Sequence, residues 1–215
     1  MPKLSIKQLF KTAFTAYKTH WKFLTLVTLI AWVARFVPGY LRDLFDLPWL
    51  FYSLTFVNWL IGIVVTLGLT KTILLLVDRQ EKNIKNLYLY TLSLFIPFLL
   101  ASLLYSLIVI SGTLLLIVPG IILALTFQFY SYLIVDQNLA PKQALKQSGI
   151  LTKGHKLQLF WLMLLIGLMN IVGAIAFLVG LLFTVPMSLL IMTYTYRHLN
   201  PTKQASTPTT TPSQS

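Results

Sequence analysis

The sequence contains no cysteine, so a disulfide framework, a thiolate metal site and a thiol nucleophile are all excluded. Acidic side chains are almost as scarce, with five Asp+Glu in 215 residues. None of them falls at the centre of an apolar run, where proton relays and ion pathways announce themselves in membrane proteins. Motifs that carry chemistry are missing too: there is no P-loop, no dinucleotide Gly-rich fingerprint, no HExxH zinc pair and no Gly-x-Ser-x-Gly elbow. No catalytic residue, metal ligand or cofactor site is therefore assigned, and the chain is expected not to be an enzyme.

What is present is hydrocarbon. Hydrophobic residues make up 57% of the chain, charged residues only 10%, and the mean hydropathy is +0.79. A water-soluble fold of this length needs far more polar surface, so the composition is that of an integral membrane protein. The formal charge of +12 would suggest nucleic acid in a soluble domain, but no recognition motif supports that partner. Beside apolar runs, the same excess reports topology and contact with anionic headgroups.

Along the chain, residues 1–22 set Leu4, Leu9, Phe10, Ala13, Phe14 and Tyr17 against Lys3, Lys7, Lys11 and Lys18 at helical spacing. This predicts a helix in the headgroup layer. A cleaved organelle-targeting segment is the competing reading, weakened by the use of lysine in place of arginine; a secretory signal is disfavoured because no small-residue cleavage site follows the apolar core. The first span is expected over residues 21–37, closed by Pro38-Gly39, with Arg35 snorkelling to the interface. The second lies within residues 47–77. Residues 87–118 form the third, interrupted by Pro97 and ended at Pro119-Gly120, and residues 121–135 form the fourth, leaving the membrane at Asp136. A third basic segment, amphipathic at residues 139–156, follows the second one at residues 78–85 and precedes an apolar stretch over 157–196 that fits two more spans, turning between Gly173 and Gly180 and opened or kinked at Pro186. The last span ends on Tyr194, Tyr196, Arg197 and His198, read as an interfacial anchor. The Ser/Thr/Pro-rich tail, residues 200–215, lacks material for a core and is expected to be disordered.

The expected fold is all-α: one polytopic membrane domain over residues 1–199, a bundle of about six spans in three hairpins, each preceded by a basic interfacial helix. Every Lys and Arg except Arg35 and Arg42 falls on one side of this threading, which places both termini in the cytoplasm of a cell-membrane protein. An internal repeat emerges with units 4–77, 82–135 and 139–197. Ser5-Ile6-Lys7-Gln8-Leu9-Phe10, Asn83-Ile84-Lys85-Asn86-Leu87-Tyr88 and Ala140-Pro141-Lys142-Gln143-Ala144-Leu145 align, and Lys11, Lys18 and His20 recur 135 positions later as Lys146, Lys153 and His155.

One combination of residues resembles a known family. Gly112, the run Leu114-Leu115-Leu116-Ile117-Val118-Pro119-Gly120-Ile121, then Asp136, Ala144-Leu145 with Ser148, Gly154 and an apolar hairpin containing Pro186 are similar to the membrane domain associated with glycerophosphoryl diester phosphodiesterases and related multipass bacterial proteins. The resemblance is best over residues 112–199. It implies a polytopic helical domain without an established activity. The phosphodiesterase domain itself has no counterpart here, so no catalytic residues carry over.

The residues expected to matter are thus of two kinds. Lys7, Lys11, Lys18, Lys85, Lys142, Lys146 and Lys153 are expected to contact lipid headgroups, and Gly112, Pro119, Gly120, Asp136, Ser148 and Pro186 to shape the bundle. Asp136 is expected to cap the following helix or to pair with Lys142 or Lys146. His20, His155 and His198 sit at helix ends as anchors. Two functions are compatible with these features: a membrane scaffold or accessory protein contacting anionic phospholipid or a protein partner through its basic segments, and a small permease with a pathway at the proline-broken helices Pro97, Pro119 and Pro186.

Overall fold

A computed structural model describes residues 5–44, 48–78, 87–176 and 180–200, and among them there is no β-strand. Eight helices follow in order: α1 Ile6–Leu44, α2 Pro48–Val77, α3 Leu87–Leu115, α4 Ile117–Phe127, α5 Tyr130–Gln137, α6 Pro141–Thr152, α7 Lys156–Ile175 and α8 Leu181–Leu199. Four stretches are long and apolar enough to cross a bilayer: Tyr52–Val77, Ser93–Leu115, Ile117–Gln137 and Lys156–Ile175. The all-helical membrane architecture is as the composition requires. α1 packs on α2 and α8, α3 on α4, and α7 on α8. Lys85 and the tail beyond Asn200 lie outside the described residues.

Hydrocarbon explains how these helices treat their polar and breaking residues. Threonine hydroxyls fold back on the carbonyl four residues earlier, as in Thr28 to Leu24 at 2.8 Å and Thr195 to Ile191 at 2.7 Å, which gives these donors an acceptor within their own helix. Prolines that would end a helix in water do not end these: α3 runs through Pro97 and α8 through the buried Pro186. Pro38-Gly39, expected to close the first span, likewise leaves α1 helical to Leu44. With no water competing for the freed backbone groups, the helix remains the cheapest state.

The expected turn at Pro119-Gly120 is displaced. The chain reverses three residues earlier, at Leu116, whose extended backbone (φ −166, ψ 148) alone separates α3 from α4. Pro119 sits in the first turn of α4, where its missing N–H costs nothing. Gly120 and Gly112 then let the two helices touch: a Cβ on Gly112 would lie 3.3 Å from the Cα of Gly120, and one on Gly120 would lie 2.9 Å from the Cα of Thr113. The second close pair, Gly173 and Gly180, joins α7 to α8, where a Cβ on Gly180 would stand 2.7 Å from the Cα of Gly173. At the first of these apices residues 114–118 are all exposed and all aliphatic, Leu114 the most open at 83%.

The segments around residues 6–28 and 141–163 share more than lysines. His20 interrupts α1 with φ −121 and ψ 20, and His155, 135 positions on, precedes α7 with φ −114 and ψ 6. Buried residues recur at the same interval: Ala13 with Ser148, Tyr17 with Thr152, and Leu24 with Leu159. In both segments a lysine-bearing amphipathic helix bends at a histidine into an apolar one.

Candidate functional site

The described polar chemistry concentrates in two places, a buried ion cluster and the platform built on α6. The cluster forms because α2, α5 and α8 each end an apolar run on one charged residue. Those residues are Asp78, just after α2, Asp136 on α5 and Arg197 on α8. Arg197 is 4% exposed. Its Nη1 donates to Asp136 Oδ2 at 2.7 Å and its Nη2 to Asp136 Oδ1 at 2.9 Å, while Nη2 also donates to Asp78 Oδ2 at 2.5 Å. The Tyr196 hydroxyl donates to Asp136 Oδ2 at 2.9 Å and accepts from Asn200 Nδ2 at 3.1 Å and from Gln137 Nε2 at 3.5 Å. Tyr132 stacks on the Tyr196 ring at 5.3 Å, and the guanidinium lies 5.3 Å from that ring's centre.

This corrects two expectations. Asp136 does not cap the next helix, because the N-cap of α6 is Ala140 and no side chain caps it. Its carboxylate goes to Arg197, a planar fork that satisfies both oxygens at once, which no single ammonium does. Arg197, expected as part of an interfacial anchor, is instead a buried tie between the ends of α2, α5 and α8. Of the two carboxylates on this guanidinium, Asp78 is the wetter: its side chain is 21% exposed against 4% for Asp136. The sequence carried a signal for this cluster that pattern reading overlooked. Leu76-Val77-Asp78 and Ile134-Val135-Asp136 close two apolar runs alike, and Tyr196-Arg197 closes a third with the opposite charge.

The platform is α6, which crosses from α3 to the joint between α4 and α5. Gln128 and Phe129 interrupt the helix at that joint. Ser148, fully buried, accepts from the Phe129 N–H at 3.1 Å and donates to the Thr126 carbonyl at 3.0 Å. Thr152, also buried, donates to the same carbonyl at 3.0 Å. The backbone groups freed by the break are thus met by α6, and α6 is thereby fixed to the bundle. Sequence reading singled out Ser148 but not Thr152, which works with it. The opposite face of α6 carries Lys142, Gln143, Lys146 and, at its end, Lys153, all exposed. At its first turn an apolar groove of about 670 Å³ opens between Leu100, Leu103, Leu104 and Leu107 of α3 and the start of α6, with Lys142 and Gln143 at its edge.

Of the other expected contacts, Lys7, Lys11 and Lys18 are exposed along the amphipathic part of α1, and the Lys18 ammonium rests 4.8 Å above the Phe14 ring. Of the lysines expected to contact headgroups, the structure thus places Lys7, Lys11 and Lys18 on α1 and Lys142, Lys146 and Lys153 on or at the end of α6. A second cleft, about 330 Å³, is lined by Tyr105, Ile121, Leu125, Gln128, Phe160 and Met163 among others, and both amide atoms of Gln128 are buried without a hydrogen-bond partner. His155 bonds Gln158 at 2.9 Å, and no cluster of three metal-ligating side chains occurs among the described residues.

Comparison with known proteins places most of the chain. Residues 47–214 match a family model described as Domain of unknown function (DUF7847). No curated protein and no solved structure matches the chain.

Proposed function

The chain belongs to the DUF7847 family, and we propose that it is a non-enzymatic integral membrane scaffold or accessory protein that engages anionic phospholipid through its basic interfacial helices. The observation that carries this reading is the construction of α6. Its apolar side is held to the α4–α5 joint by Ser148 and Thr152, while Lys142, Lys146 and Lys153 face outward. A helix serving only as a linker needs neither the hydrogen bonds nor the segregated charge. The ion cluster on Arg197 supports the same reading, because it ties together α2, α5 and α8, the cytoplasmic ends of three proposed hairpins, and favours a static frame.

In the proposed threading, the later part of α1 and all of α8 add two spans to the four apolar stretches, with both termini and all basic helices on the cytoplasmic side of the cell membrane. The matching bends at His20 and His155 and the matching buried positions support internal repetition of helix plus hairpin. The resemblance of residues 112–199 to the membrane domain of glycerophosphoryl diester phosphodiesterases fits a role beside other machinery, without catalysis of its own.

The test is reconstitution of the full chain into nanodiscs of phosphatidylcholine with and without phosphatidylglycerol. Anionic lipid is expected to raise thermal stability. Changing Lys142, Lys146 and Lys153 together to Gln should remove most of that gain, at about 1 kcal/mol of headgroup attraction per lysine. Equal stability in both lipids would overturn the reading. A small permease is the second reading, and it draws on one observation, the unpartnered Gln128 amide beside the broken helix α4–α5. Solute flux into proteoliposomes that disappears in Gln128→Leu would favour it.

A further inference from the structure

We infer that the groove between α3 and the first turn of α6 is a site for one anionic phospholipid, with an acyl chain lying along α3 and the phosphate on Lys142. The inference rests on the lipid-contact reading above and gives it an address.

The groove wall is a single helical stripe, Leu100, Leu103, Leu104 and Leu107, spaced three and four residues apart so that four branched side chains line one face of α3. Leu100, Leu103 and Leu107 are exposed at 49%, 51% and 64%, so about half or more of each side chain is left open by the described residues. In hydrocarbon such a groove does not stay empty, since an unfilled volume of about 670 Å³ forfeits the dispersion contacts of its whole lining. An acyl chain supplies them. Chain burial alone gives no preference among lipids, because the bilayer is as apolar as the leucines. The headgroup decides, and the groove ends at Lys142 and Gln143.

Lys142 is exposed and forms no ion pair among the described residues, and α6 has no acidic residue in its first turn. An ammonium with a neighbouring amide suits a phosphate that carries net negative charge into the headgroup layer. A zwitterionic headgroup brings its own cation to compete for that phosphate. The occupant is therefore an anionic phospholipid. Lys146 and Lys153 lie farther along α6, beyond the groove lining, and supply general attraction only.

The experiment uses the full chain in mixed phosphatidylglycerol and phosphatidylcholine nanodiscs, with a phosphatidylglycerol bearing a photoreactive diazirine midway along one chain. Crosslinks are expected to concentrate within residues 100–107, and Lys142→Gln is expected to lower both their yield and the number of phosphatidylglycerol molecules retained in native mass spectrometry, by about fivefold in affinity. Leu103→Trp, a change at an exposed position that fills the groove, should abolish the crosslinks while leaving the unfolding temperature in phosphatidylcholine alone unchanged; Leu107→Phe serves the same purpose if Leu103→Trp does not fold. Crosslinks spread evenly over the apolar helices, or equal losses from Lys142→Gln, Lys146→Gln and Lys153→Gln, would overturn the site and leave the broader lipid reading standing. Retention indifferent to headgroup and to all three lysines would overturn both. Inorganic phosphate displacing the crosslinking lipid as well as free phosphatidylglycerol does would also overturn it, since the chain would then contribute nothing.

Discussion

Arg197 holds both carboxylate oxygens of Asp136, at 2.7 and 2.9 Å, across 61 residues of chain. Both groups are nearly dry, so their attraction is strong and so is the penalty for parting them. Arg197→Met strands Asp136 as a buried charge and is expected to cost about 3–5 kcal/mol of stability. Adding Asp136→Leu to that variant should recover much of the loss, because it removes the stranded charge. Thermal unfolding in detergent checks both; a double variant as unstable as the single one would refute the pairing account.

Arg197→Lys separates charge from geometry. A lysine keeps the positive charge but cannot present two parallel donors, nor reach Asp78 and Asp136 together. The expected stability falls between wild type and Arg197→Met, a ranking that the same melts would show.

The glycines divide by what surrounds them. Gly120→Ala drives a methyl against the backbone of Thr113 and is expected to cost about 1–3 kcal/mol. Gly68→Ala meets nothing within 4 Å in the middle of α2 and should gain about 0.5–1 kcal/mol from restricting the unfolded chain. Equal behaviour of the two would show that the α3–α4 contact does not depend on a bare Cα.

Gln128 carries two buried amide atoms without partners. Gln128→Leu keeps the volume and removes the unmet polarity, and it is expected to stabilise the chain by about 1–3 kcal/mol. A loss of stability would mean that the amide has a partner in the membrane.

Single cysteines test the threading, and the absence of native cysteine makes the background clean. A thiol at position 43 is expected to react with an impermeant reagent on intact cells, and one at position 146 only after permeabilisation. Labelling of position 146 from outside would invert the proposed topology.

Much of the helical layout was legible because hydropathy is a bulk property that survives ignorance of every contact. The reversal near Pro119-Gly120 was located to within three residues, the error arising because proline is comfortable inside the first turn of a helix as well as before it. Pro38-Gly39 misled for a related reason: rules of helix ending learned from water weaken where the backbone has no other partner. Ser148 emerged from family resemblance, whereas Thr152 did not, since its role depends on where Thr126 lies in space. The Arg197 cluster was least legible. Pairings over 61 and 119 residues leave no local trace beyond the charge that closes each of three apolar runs.

The aliphatic apex at residues 114–118 bears on how such a chain enters its membrane. From Leu87 to Val135 there is no Lys, Arg, Asp or Glu, and none from Leu157 to Tyr196. In the proposed threading the second and third hairpins therefore translocate no ionised group, and each can partition from the cytoplasmic side as a closed unit. Only the first hairpin, with Arg35, Arg42, Asp43 and Asp46, must deliver charge to the far face. The work of insertion, and any dependence on a translocation machine, is concentrated in the first quarter of the protein.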